Sequence, residues 1–163
     1  MKRNAVLVLM AGALMGLSAC AFQPLHGSPQ QIRAMDGVVV AVDGQARIDQ
    51  MLDEALNDRF GTPSGGRYRL AAVTSVTVVG LGVGADDVAT RRAISLLVDF
   101  SLIDAGSGLP VLTETVRTEA TVDIPRQPYA AVSARRDAEE RAASEAADRI
   151  ALRVARYINR GGQ

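Results

Sequence analysis

Between Arg67 and Ile124 the chain alternates apolar and polar residues in three long runs separated by glycine-rich breaks, the two-residue period of strands buried on one face. The first run, Arg67 to Val79, is interrupted by Gly80, Gly82, Gly84 and Asp86-Asp87. The second, Thr90 to Asp104, sets Ile94, Leu96, Val98, Phe100 and Leu102 on one side and Ser95, Asp99 and Ser101 on the other. Leu97 and Ile103 interrupt its polar side, so that face is not wholly solvated. After the turn signal Gly106-Ser107-Gly108, Val111 to Ile124 alternates again. Leu112, Val116, Ala120, Val122 and Ile124 point inward, opposite Thr113, Thr115, Arg117, Glu119, Thr121 and Asp123. Three such strands predict a meander with one apolar and one mainly polar face.

The flanks supply what covers the apolar face. Val38 to Val42 is a short β-branched run ended by Asp43-Gly44 and reads as a buried strand. Ile48, Met51, Leu52, Ala55, Leu56 and Phe60 fall at helical spacing, with Gly61 and Pro63 as stops. A second helix is predicted over Ser133 to Asn159. Its stripe of Ala138, Ala142, Ala146, Ile150, Val154 and Ile158 is widened by Ala143, Ala147 and Ala151, small residues that let it lie close to a sheet. Asp137–Arg141, Arg141–Glu145 and Glu145–Arg149 are expected as i,i+4 pairs on its wet side. The order β-α-β-β-β-α predicts an α+β two-layer sandwich: a mostly antiparallel four-stranded sheet with two helices on one face, a single domain over residues 36–160.

The N-terminus reads as a leader. Lys2 and Arg3 precede an apolar run of thirteen residues, Ala5 to Leu17, too short to span a bilayer and suited to a secretory signal over residues 1–19. Leu17-Ser18-Ala19-Cys20 fits a lipobox, which makes Cys20 the lipidation site and the first residue of the mature chain. Acyl chains there hold the protein to a membrane at about 0.8 kcal/mol per buried CH₂. Ala21, in place of a retention Asp, predicts the outer membrane. Residues 20–35, with two prolines and no clear period, form the tether. The mature chain keeps 144 residues, with sixteen cations, all Arg, against eighteen acids. The resulting charge of −2 gives no sign of a nucleic-acid partner. Cys20 is the only cysteine, so no disulfide is expected and the core alone must stabilise the fold.

A catalytic or metal constellation is not visible. The one histidine, His26, lies in the tether, and Asp86-Asp87 sit together in a glycine-rich turn. Gly80-Leu81-Gly82-Val83-Gly84 lacks the spacing and following helix of a phosphate-cradling loop and reads as a hairpin connection. No enzyme activity, cofactor or metal is expected. The arginines are more informative: Arg67 and Arg69 open the second strand, Arg91 and Arg92 the third, and Arg126 follows the fourth. An up-down meander places Arg91, Arg92 and Arg126 at one tip, where guanidinium groups suit anionic lipid head groups.

Cys20-Ala21-Phe22-Gln23-Pro24-Leu25-His26-Gly27 resembles the mature start of the lipopolysaccharide-assembly lipoproteins of the LptE family, Cys-Gly-Phe-x-Pro-Leu-Tyr-Gly, departing at Ala21 and His26. The segment from Tyr129 to Ala143 is similar to that family's entry into its last helix. The resemblance implies a non-enzymatic role: a plug in the lumen of the outer-membrane β-barrel LptD that assists its assembly and helps lipopolysaccharide reach the outer leaflet. Arg91, Arg92 and Arg126 are then the candidate lipopolysaccharide contacts. The competing expectation is an auxiliary lipoprotein of a periplasmic lipid-transport ABC system.

Overall fold

The computed structural model describes residues 37–44, 46–63, 65–83 and 89–161. The expected signal segment, Cys20, the tether, His26 and Asp86-Asp87 lie outside the described residues. Six elements follow in the predicted order: β1 (Val38–Asp43), α1 (Arg47–Phe60), β2 (Tyr68–Val83), β3 (Ala89–Asp104), β4 (Pro110–Asp123) and α2 (Pro128–Asn159).

The four strands lie in chain order in one sheet. β2, β3 and β4 are the expected antiparallel meander, whereas β1 pairs parallel with β2 over Val38–Asp43 and Tyr68–Val73. The parallel pairing follows from the intervening helix, since a strand that crosses over through a helix returns in its original direction. Gly66 marks the close approach at the start of this pair. A Cβ there would stand 2.0 Å from the Gly37 carbonyl oxygen, next to the 3.1 Å bond that the Tyr68 N–H donates to the same oxygen.

Both helices cover one face and run alongside each other in the same direction. The core between the layers holds Leu52, Leu56 and Phe60 of α1, Leu70 of β2, Ile94, Leu96, Val98, Phe100 and Leu102 of β3, Val116 of β4 and Ile150 of α2. Ala138, Ala142, Ala143, Ala146 and Ala147 are fully or almost fully buried, so α2 seats its backbone near the sheet as its sequence foretold. Thr118 is the exception on the inward face of β4. Its hydroxyl donates to the Ala142 carbonyl oxygen at 2.9 Å, which satisfies it inside the core.

Polar locks join the helices. Arg47 at the start of α1 donates to Glu139 of α2 at 2.6 Å, and Arg135 donates to the other oxygen of Glu139 at 2.8 Å. Farther along, Arg59 reaches Asp148 at 2.7 Å and the Ser144 hydroxyl at 3.0 Å. Of the three expected i,i+4 pairs, Asp137–Arg141 and Glu145–Arg149 form. Arg141 is instead shared between Asp137 and the Thr121 carbonyl oxygen, not with Glu145.

Candidate functional site

Three features of the surface are built for contact. The first is the distal end of the sheet, where β2 and β3 outrun β1. Parallel pairing stops at Val73, and α1 begins level with the next residue, Thr74, whose hydroxyl donates to Asp49. Beyond that level no strand borders β2 on its β1 side among the described residues and α1 does not cover it, while its other side stays paired with β3. Val76 and Val78, on the face that carries the helices, are consequently 39% and 40% exposed, and Val79, on the opposite face, is 49% exposed near Leu81 at 51%. The run Thr74–Val83 holds no charged residue and no proline, the usual devices that blunt a free strand edge.

Arginines stand beside these valines. Gly80 pairs with Arg92 and Gly82 with Arg91 across the hairpin, after which the register becomes irregular. Arg91 donates to Asp123 of β4 at 2.7 Å. That bond raises the Arg91 pKa further and holds the Asp123 carboxyl below its ordinary value. Arg92, opposite Val122, is exposed and pairs with no acid among the described residues. Arg126, three residues past the end of β4, is exposed in the same way at this end. The structure therefore brings the three predicted arginines to one end of the sheet, with Arg91 paired to Asp123 and Arg92 and Arg126 meeting no acid among the described residues. The sequence shows a strand over Arg67 to Val79 but not which of its apolar residues lie uncovered. The signal was length: β2 runs on to Val83, well past Val73, where its pairing with the shorter β1 ends.

The second feature is the bare face of the sheet. Asp99 accepts from the Thr115 hydroxyl at 2.5 Å, and Ser101 and Thr113 share a hydrogen bond of 3.1 Å. Arg117, Glu119 and Thr121 are exposed on the same face, with Leu97 half-buried among them. This is the mainly polar face read from the alternation.

The third is the outer edge of β4, which α2 closes with a ladder of arginines. Arg141, Arg149 and Arg153 donate to the carbonyl oxygens of Thr121, Arg117 and Thr115 at 3.3, 2.7 and 2.9 Å. Backbone acceptors that would template another strand are thus occupied. Among the described residues one edge of the sheet is guarded and the other is open. Among the described residues no group of His, Cys, Asp or Glu side chains is placed to hold a metal ion, and no helix is long and apolar enough to cross a membrane.

Fold and surfaces together define a two-layer α+β domain with a free-standing, arginine-tipped sheet end. The family model described as lipopolysaccharide-assembly, LptE, matches residues 35–154, and the chain belongs to that family. Among solved structures it is similar to a lipoprotein of Caulobacter crescentus, 32% identical, with a TM-score of 0.65 over 80% of this chain and 96% of that one. Rare lipoprotein B of Shewanella oneidensis shares the fold at 16% identity and a TM-score of 0.55, covering 77% of this chain and 98% of that one. Lipoprotein B of Nitrosomonas europaea does so at 12% identity and a TM-score of 0.57, covering 77% and 84%. A search of curated protein sequences finds no match.

Proposed function

We propose that this protein is a lipid-anchored plug and assembly partner of the outer-membrane β-barrel LptD, working in the transport of lipopolysaccharide to the outer leaflet. Cys20 carries the lipid, and the domain acts by binding rather than by catalysis. The observation that carries the reading is the family match over residues 35–154, joined to a sheet with one bare polar face. A barrel lumen is polar, and Arg117, Glu119, Thr121 and the Asp99–Thr115 pair offer it donors and acceptors of both charges.

The distal tip is the lipopolysaccharide contact in this reading. Arg92 and Arg126 meet phosphate, Arg91 joins them when phosphate displaces Asp123, and Val76 and Val78, on the same face of the sheet as Arg92, lie against acyl chain. A phosphate–guanidinium contact is charge-assisted and bidentate, and exposed valines beside it give an amphiphile both halves of what it needs. The test is lipopolysaccharide binding by the charge-reversed triple variant R91E/R92E/R126E. At least a tenfold loss is expected, and unchanged binding removes the tip assignment while leaving the barrel partnership to be tested separately.

A further inference from the structure

At the opposite end of the sheet from that tip, the last two turns of α2 overhang the start of β4. They enclose a groove of about 530 Å³ lined by Val111, Leu112, Glu114, Arg153, Arg156, Tyr157 and Arg160. Residues 153, 156, 157 and 160 recur at the spacing of one helix face, so three guanidinium groups and a phenol ring face one concavity. Arg153 is held in place, donating to Glu114 at 2.7 Å and to the Thr115 carbonyl oxygen at 2.9 Å. Glu114 is the only acid lining the groove, and that bond occupies it.

Arg156 and Arg160 continue the face that carries the arginine ladder, yet neither reaches a β4 carbonyl oxygen or an acid among the described residues. A cation in the last turn also offsets the negative end of the helix dipole, which accounts for one of the two arginines. It does not account for the second, or for the half-buried Val111 and Leu112 that line the same groove. Tyr157 is fixed at the rim by an edge-on contact with Tyr68, ring centroids 6.4 Å apart.

We infer that this groove is a second anion site, separate from the distal tip, that takes the phosphate of an amphiphile between Arg156 and Arg160 with its apolar portion against Val111 and Leu112. The groove opens at the end of the sheet where the described chain begins, at Gly37, three strands away from β4. A phosphate there comes either from a lipid head group or from free phosphate. The inference does not depend on the barrel reading.

The test uses the full-length, lipid-anchored protein in a non-ionic detergent, titrated separately with dihexanoyl phosphatidic acid and with inorganic phosphate. Arginine Nε–H resonances report the site. The expected result is saturable binding of the phosphatidic acid, weakened at least tenfold in R156E/R160E and unchanged in R136E, an exposed arginine elsewhere on α2. Inorganic phosphate is expected to bind at least tenfold more weakly. Equal binding of inorganic phosphate overturns the amphiphile assignment and leaves a plain phosphate site. Binding of neither probe, or binding unaffected in R156E/R160E with the thermal midpoint preserved, overturns the proposal as a whole.

Discussion

Asp49 ties three parts of the chain together through one buried carboxylate. It accepts from the Ala46 N–H at 2.9 Å, the half of a capping box that needs no side chain at the N-cap, and from the Thr74 hydroxyl of β2. Asp49→Ala is expected to cost about 1–2 kcal/mol in chemical denaturation; a loss within error of zero would contradict this role. Gly44 belongs to the same arrangement. It has φ 149°, and a Cβ there would stand 2.0 Å from the carboxylate, so a side chain at this position is strained and crowds Asp49. Asp104 acts at the other end of the sheet. It accepts from the Gly106 and Ser107 N–H groups at 3.0 and 2.9 Å, and those bonds, Ser107 first, hold its pKa below the ordinary value. A depressed folded pKa adds stability above the unfolded value of about 3.9 and loses it as pH falls through the folded one. Asp104→Asn should therefore lower the thermal midpoint at neutral pH and flatten its decline below about pH 4. An equally steep acid limb in the variant would contradict the assignment. None of these roles was legible in the sequence, because a short polar residue in a turn looks the same whether or not its oxygens are committed.

Among the elements, β3 and the core half of α2 were plain in the sequence because burial and period coincide there. Where they do not, the reading slipped. α2 begins at Pro128, five residues before the expected Ser133. Proline suits the first turn, but Tyr129 and Val132 are 86% and 62% exposed, so this turn shows no apolar stripe. β2 runs on through Gly80 and Gly82, residues that predict a break in the sequence, because pairing with Arg92 and Arg91 outweighs the poor strand propensity of glycine. Thr118 hides its inward position behind a hydroxyl that α2 satisfies. The difference between covered and uncovered valines is directly testable. Val98→Ala, at 0% exposure, should cost about 2–3 kcal/mol, and Val78→Ala, at 40%, less than about 1. Equal costs would mean that the distal half of β2 is packed in solution. On α2, Ala146→Leu should destabilise by about 1–3 kcal/mol, since a fully buried alanine against the sheet leaves no room for three more carbons.

For the molecule as a whole, the sheet has one guarded edge, one open edge, a bare polar face and cationic groups at both ends. That distribution is what a protein acting through surfaces requires, and the sequence carried its outline in the alternation and the arginine positions. It did not carry the pairing of the arginines: among the described residues Arg91 and Arg153 are engaged with Asp123 and Glu114, while Arg92, Arg126, Arg156 and Arg160 meet no acid. Such pairing depends on register and helix placement, which no single sequence states. The central claim is the partnership with a barrel. Its direct measurement is isolation of the tagged, lipidated protein from outer membranes in mild detergent, with mass spectrometry of whatever co-purifies. The account predicts a large β-barrel protein in about 1:1 ratio. Recovery of permease or ATPase subunits with no barrel would contradict it.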